Sequence, residues 1–116
     1  MNKEKLYSVK EVCDKYNITR KTLFYYDKTE LVLPSERLGT QQHKMYSYSD
    51  LIKLEETLRY RSAGLTIEEI KNIRTMDVDD EIDYLGEIKE RLLLEKKDKE
   101  KEIKELNSLI EERMGN

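Results

Sequence analysis

The stretch from about Ile82 to Met114 has no proline and is charged along most of its length. It reads as a single helix, which at about 1.5 Å per residue would extend roughly 50 Å. A helix of that length cannot bury its apolar face on the short sequence before it, so it needs a partner. Asp77, Asp79, Asp80 and Glu81 lead into it, where acidic groups favour the positive end of the helix dipole. Two seven-residue series run along it, Ile82, Lys89, Lys96, Ile103, Ile110 and Leu85, Leu92, Lys99, Leu106, Arg113, alternating by three and four residues. The expected dimerisation residues are Ile82, Leu85, Leu92, Ile103, Leu106 and Ile110, which would otherwise lie exposed. The block Glu95–Glu102 interrupts the seam with charges alone, and its expected Glu95–Lys99 and Lys96–Glu100 pairs contribute only about 0.2–0.5 kcal/mol each. Parallel and antiparallel pairing both stay open, and a solitary solvated helix is the alternative.

The rest of the chain is one small domain's worth of sequence. Of 116 residues, 41% are charged, well above the usual quarter, which suits long solvated helices. Residues 1–74 carry 14 Lys/Arg against 11 Asp/Glu, whereas residues 75–116 carry 8 against 14, so the two segments should face different partners. The excess in the first segment is too small to establish nucleic-acid binding by itself. The single cysteine, Cys13, sits among Val9, Val12, Tyr16 and Ile18 and is expected to pack as a small hydrophobe. No apolar run is long enough for a membrane span and no secretion signal precedes the domain, so the expected compartment is the cytoplasm. No catalytic residues, metal ligands or cofactor-binding motif are found, and the chain is not expected to be an enzyme.

Local signals divide residues 1–75 into short elements. Ser8-Val9-Lys10-Glu11 is a capping box opening a helix with Val9, Val12, Cys13 and Tyr16 at helical spacing, and Asn17 supplies the left-handed turn after it. Thr19 caps a second helix from about Arg20 to Glu30, ended by Pro34, with Leu23 and Tyr26 inward and Leu31 beside them; the pair forms a helix-turn-helix. The polar stretch Pro34–Tyr46 suits an exposed hairpin, a wing, better than a core element. Ser47 to Asp50 opens an amphipathic helix with Leu51, Ile52, Leu54, Leu58 and Tyr60, ending at Ala63-Gly64. Thr66-Ile67-Glu68-Glu69 caps a further helix with Ile67, Ile70 and Ile73 inward. The expected fold is mainly α: a winged helix-turn-helix domain over residues 1–75, then a coiled-coil dimerisation helix over 76–116, with no effector-binding domain.

The run Tyr7–Val12, then Ile18-Thr19-Arg20-Lys21-Thr22-Leu23-Phe24-Tyr25-Tyr26-Asp27, Leu31, Pro34, Tyr46-Ser47, Asp50-Leu51 and Arg61 through Ile70 resembles the MerR family of winged-helix regulators. The resemblance covers about residues 6–75, and the Thr22-Leu23-x-Tyr25-Tyr26 and Gly64-Leu65-Thr66-x-Glu68-Glu69-Ile70 segments make it more specific than a lone helix-turn-helix pattern. It implies a homodimer on a pseudo-palindromic promoter site in double-stranded DNA, joined by an antiparallel coiled coil. It implies also that the spacer between promoter elements is bent and untwisted for RNA polymerase, a further partner, so that sequence is read partly through the cost of deformation. Carried onto matching positions, Thr19, Arg20 and Lys21 lie near bases or phosphates and Tyr25 reaches the backbone. Arg37 and Lys44 become wing contacts, and Arg61 with the backbone around Gly64 a second wing.

Four positions depart from the family pattern. Phe24 replaces an arginine, Glu30 a glycine, Ala63 a leucine, and Lys44 an arginine whose charge it keeps without the bidentate geometry. The cysteines by which metal or oxidant sensors of the family respond are absent from the C-terminal segment. Two other readings stay open on sequence: an architectural factor that bends DNA during mobile-element excision, and a protein-binding module of similar fold that engages a chaperone partner instead of DNA.

Overall fold

The computed structural model describes residues 4–115, so the ends of both expected segments, 1–3 and 116, lie outside the described residues. It divides into two compact units between Arg74 and Thr75.

The first unit is built from a strand β1 (Tyr7–Ser8), helices α1 (Val9–Tyr16) and α2 (Arg20–Lys28), strands β2 (Glu36–Leu38) and β3 (His43–Tyr46), and helices α3 (Tyr48–Ser62) and α4 (Ile67–Ile73). The expected capping boxes at Ser8 and Thr66 form, and the capped start expected at Ser47 is a third such box, each hydroxyl accepting from the N3 amide while the N3 carboxylate accepts from the cap's own N–H. Asn17 stands at φ 53°, ψ 47° and closes α1. The strands form one antiparallel sheet in the order β1-β3-β2, with Tyr7 opposite Tyr46 and Arg37 opposite Lys44. The two residues of β1, which carry no strand signal of their own, tie the wing to the entry of α1.

The core is Val12 from α1, Leu23 and Tyr26 from α2, Leu31 and Val32 beyond it, Tyr46 from β3, Leu51 and Leu54 from α3, and Leu65, Ile70 and Ile73 around α4. Each aliphatic side chain among them contributes about 1.5–3 kcal/mol by leaving water. Three expectations need correction. Helix α2 stops at Lys28 rather than Glu30 and well before Pro34, because Glu30 enters the left-handed region at φ 61° and the Leu31 amide turns back to donate to the Tyr26 carbonyl at 2.8 Å. Tyr46 is fully buried rather than part of an exposed loop, since β3 is the central strand and β1 covers its end. Ile52 is exposed: the inward stripe of α3 runs through Leu51, Leu54 and Thr57, and Ile52 stands a hundred degrees round the helix from Leu51.

Arg74, at the C-cap of α4, holds this core together without having been legible as a structural residue. Its guanidinium donates to the Leu31 carbonyl at 2.7 Å, to the Glu56 carboxylate at 3.1 Å and to the buried Thr57 hydroxyl, joining α4, α3 and the segment after α2. On another side of α3, the Tyr16 hydroxyl donates to Glu55 at 2.7 Å, and partial burial together with that carboxylate raises its pKa.

The second unit is dominated by α5 (Val78–Met114), capped by Asp77, whose side chain accepts from the Asp80 amide. Among its described residues Ile88 is buried, while Ile82, Leu85, Leu92, Ile103, Leu106 and Ile110 are all exposed. Its polar middle carries the pairs Arg91–Glu95 at 3.8 Å and Lys99–Glu102 at 3.1 Å in place of the two expected there. No helix is long and apolar enough to cross a membrane among the described residues.

Candidate nucleic-acid interface

Helix α2 has two faces because its residue types alternate at helical spacing. Leu23, Tyr26 and Asp27 turn inward, which leaves Arg20, Lys21, Phe24, Tyr25 and Lys28 outside. At spacings of three and four these outer residues form two neighbouring rows, Arg20–Phe24 and Lys21–Tyr25–Lys28. Arg20, Lys21 and Lys28 enter no ion pair among the described residues. Their charge is therefore open to an anionic partner, and Tyr25, half of whose surface is in solvent, stands between two of them.

Thr19 caps this helix, its oxygen accepting from the Thr22 amide at 3.1 Å while its proton goes to the Thr22 hydroxyl at 3.0 Å. With both functions of the hydroxyl engaged locally, Thr19 sets the start of α2. A bond donated by that side chain to DNA would have to displace the one to the Thr22 hydroxyl, while its second lone pair stays free to accept.

A concavity flanks α2 on each side. One, of about 300 Å³, is lined by Lys21, Thr22, Tyr25, Tyr26 and Arg61, bringing together three of the residues expected to touch DNA. Arg61 is positioned there by a hydrogen bond to the Leu65 carbonyl at 2.9 Å, across a turn in which Gly64 takes φ 92°. A side chain at that φ would be strained, which is why glycine serves there. The other concavity, of about 510 Å³, lies between α2 and the wing and is lined by Lys10, Arg20, Phe24, His43 and Lys44 among others.

The wing is fastened to α2 by charge. Arg37 donates two parallel N–H bonds to the Asp27 carboxylate, at 2.7 and 2.9 Å, and the Lys44 ammonium lies 3.1 Å from the same group. The Arg37 bonds, and then Lys44, hold the Asp27 carboxyl below the usual carboxylate range against the opposing effect of its burial. Arg37 and Lys44 thus stand in the wing where the sequence places them, but each spends part of its charge inside the protein. Lys44 also lies over the Phe24 ring, 4.5 Å from its centroid. Sequence reasoning missed Asp27 as the anchor. The available signal was a carboxylate one position after the inward Tyr26, which on a buried flank requires a cation.

Cys13 is half-buried, and its thiol is raised above its ordinary pKa chiefly by burial, as a packed thiol should be. Among the described residues no group of three or more His, Cys, Asp or Glu is arranged to hold a metal ion.

The profile of the MerR HTH family regulatory proteins matches residues 7–76. The chain belongs to the MerR family. It is 30% identical over 112 residues to the multidrug-efflux transporter 1 regulator of Bacillus subtilis, an alignment covering 97% of this chain and 40% of that protein. The chain thus spans about two fifths of the length of that relative. Among solved structures, it is similar to the N-terminal part of the Bacillus subtilis multidrug transporter activator, with a TM-score of 0.75 and 29% identity over 90% of this chain and 97% of that one. A MerR-family regulator lacking the sensor domain, solved bound to promoter DNA, shares the fold with a TM-score of 0.59 and 16% identity, over 91% of this chain and 88% of that one.

Within this MerR fold two departures acquire a physical meaning. Glu30, where a glycine is usual, occupies a left-handed turn at φ 61° that glycine would adopt without strain. Ala63, where leucine is usual, is exposed at the end of α3, so the smaller side chain leaves no hole in the core.

Proposed function

We propose that this MerR-family chain is a cytoplasmic, sequence-specific DNA-binding transcription regulator. It acts as a homodimer on a pseudo-palindromic promoter site, bending and untwisting the DNA between promoter elements for RNA polymerase. The observation that carries the reading is the outer face of α2, where Arg20, Lys21 and Lys28 stand unpaired beside the exposed Tyr25, with Arg61 meeting Lys21 and Tyr25 in one concavity. In that arrangement the first turns of α2 enter the major groove while Tyr25 and Arg61 bind the flanking phosphates. The wing, through the part of Arg37 and Lys44 that stays in solvent, follows the backbone alongside.

The homodimer is supported by the exposed apolar series on α5, and the lysines within that series favour the antiparallel arrangement. Parallel pairing in register sets Lys89, Lys96 and Lys99 each against its own copy. Antiparallel pairing opposes the two series to one another, so that Leu85 can face Ile110 and Leu92 can face Ile103; that register frees Lys89, which faces Leu106, but still sets Lys96 against Lys99.

The test is duplex binding by the purified protein at two salt concentrations, using DNA selected by the protein from a random-sequence pool. Binding should weaken steeply as salt rises, since phosphate contacts release counterions. Arg20→Ala should weaken binding to the selected duplex by about 10- to 100-fold, the scale of a lost base contact. Failure to bind any duplex at low salt, by protein shown to be folded, overturns the reading.

A further inference from the structure

We infer that Phe24 is a specificity-determining residue that recognises the methyl group of a thymine in the major groove; this rests on the DNA-binding reading above. Phe24 stands one helical turn after Arg20 on the outer face of α2 and remains 39% exposed. The concavity between α2 and the wing that it lines is mixed, with Arg20, Gln41, His43 and Lys44 beside the apolar Val9 and Met45. About two fifths of its surface stays in solvent beside these cations, and that apolar surface is available to a ligand.

The ring is also held in place. Lys44, fixed by Asp27 at 3.1 Å, lies over the ring at 4.5 Å from its centroid. Asp27 is itself on α2, so helix, wing and ring form one braced assembly, and the ring presents itself without having to be ordered on binding. The cations around it admit a polyanion close to an apolar probe, a combination that suits a duplex groove.

In the major groove the C5-methyl of thymine is the apolar feature, while guanine, adenine and cytosine offer donors and acceptors that a phenyl ring cannot satisfy. Arginine, the residue usual at this position in the family, would satisfy guanine or a phosphate. Phenylalanine instead favours thymine and penalises guanine or cytosine, whose polar edges it would desolvate.

Deoxyuridine lacks that methyl and leaves every hydrogen bond of the base pair in place. Each thymine of a duplex selected by the wild-type protein from a random pool is replaced in turn by deoxyuridine, and binding is compared for wild type, Phe24→Ala and Phe24→Arg. The expected result is one thymine per half-site at which removing the methyl weakens wild-type binding by about fourfold, the scale of one buried carbon. Phe24→Ala should show no such loss at that thymine while keeping the wild-type salt dependence, because the ring carries no charge. Phe24→Arg should lose the methyl effect and gain preference for guanine there. Tight, salt-sensitive binding with no methyl effect at any thymine, or with the same effect in Phe24→Ala, overturns this inference and leaves the DNA-binding reading intact. Absence of binding to every duplex overturns both.

Discussion

The two units of the chain treat the same kinds of side chain in opposite ways. In the winged unit Leu23, Leu31, Leu54, Ile70 and Ile73 are all at 0% exposure, whereas in α5 Ile82 is 61% exposed and Leu106 57%. The cause is geometric rather than compositional. Four short helices and three strands offer several faces that close on one another within 74 residues, while a single helix of 37 residues has no second face of its own. Helical propensity and capping alone leave a solitary helix only marginally favoured. The stability of the winged unit is accordingly written in its own residues, and that of α5 depends on what covers it.

A matched pair of substitutions breaks this comparison most directly. Leu54→Ala removes a fully buried side chain and should destabilise the winged unit by about 2–5 kcal/mol in urea unfolding, independent of protein concentration. Leu106→Ala removes an exposed one, and in a solitary helix it should cost nothing, since alanine is the better helix former. In the proposed homodimer it should instead shift the dissociation midpoint in analytical ultracentrifugation to higher concentration by tenfold or more. An unchanged monomeric mass for wild type and variant alike would leave α5 unpartnered and remove the dimer from the proposal.

A smaller effect comes from charge buried in one unit and exposed in the other. Asp27 is paired with Arg37 and Lys44 in the winged unit, and its pKa is lowered in the folded protein by the Arg37 hydrogen bonds first. A lowered carboxyl pKa contributes stability that is present above the unfolded value, about 3.9, and is lost as pH falls through the lower folded value. Asp27→Asn should therefore cost about 1–2 kcal/mol at neutral pH, given that Arg37 remains partly in solvent. The difference between wild type and variant should shrink as pH falls below the usual carboxylate range. A pH-independent difference would mean that Asp27 acts by shape rather than by charge.

The same contrast explains what sequence could reveal. The capping boxes at Ser8, Ser47 and Thr66, the left-handed Asn17 and the apolar spacing of α3 to α5 are local signals, and each locates its element. The outer face of α2 follows from them, since Leu23 and Tyr26 inward leave Arg20, Lys21 and Tyr25 outward. What stayed hidden depends on residues far apart in sequence. The burial of Tyr46 needs β1, which is two residues long and exists through its pairing with β3. The clamp of Arg74 reaches Leu31 across 43 positions, and Lys44 reaches Asp27 and Phe24 only once the wing has folded back on α2. Spacing patterns carry no record of such meetings.

The smallest expected effect sharpens the claim that the winged unit contains its own determinants, because it concerns a residue that touches none of the core. Glu30 closes α2 at φ 61°, and its amide donates to the Asp27 carbonyl at 3.0 Å, so the turn is fixed by its hydrogen bond whatever the side chain. A side chain in the left-handed region costs roughly 1–2 kcal/mol, and glycine escapes that cost but loses more freedom on folding, by about 0.5–1 kcal/mol. The net expectation for Glu30→Gly is a gain of about 0.5–1 kcal/mol in urea unfolding, with binding to duplex DNA unchanged. A loss of stability would show that the Glu30 side chain supports the turn by a contact worth more than the strain, and that the glycine usual in the family is not simply transferable to this chain.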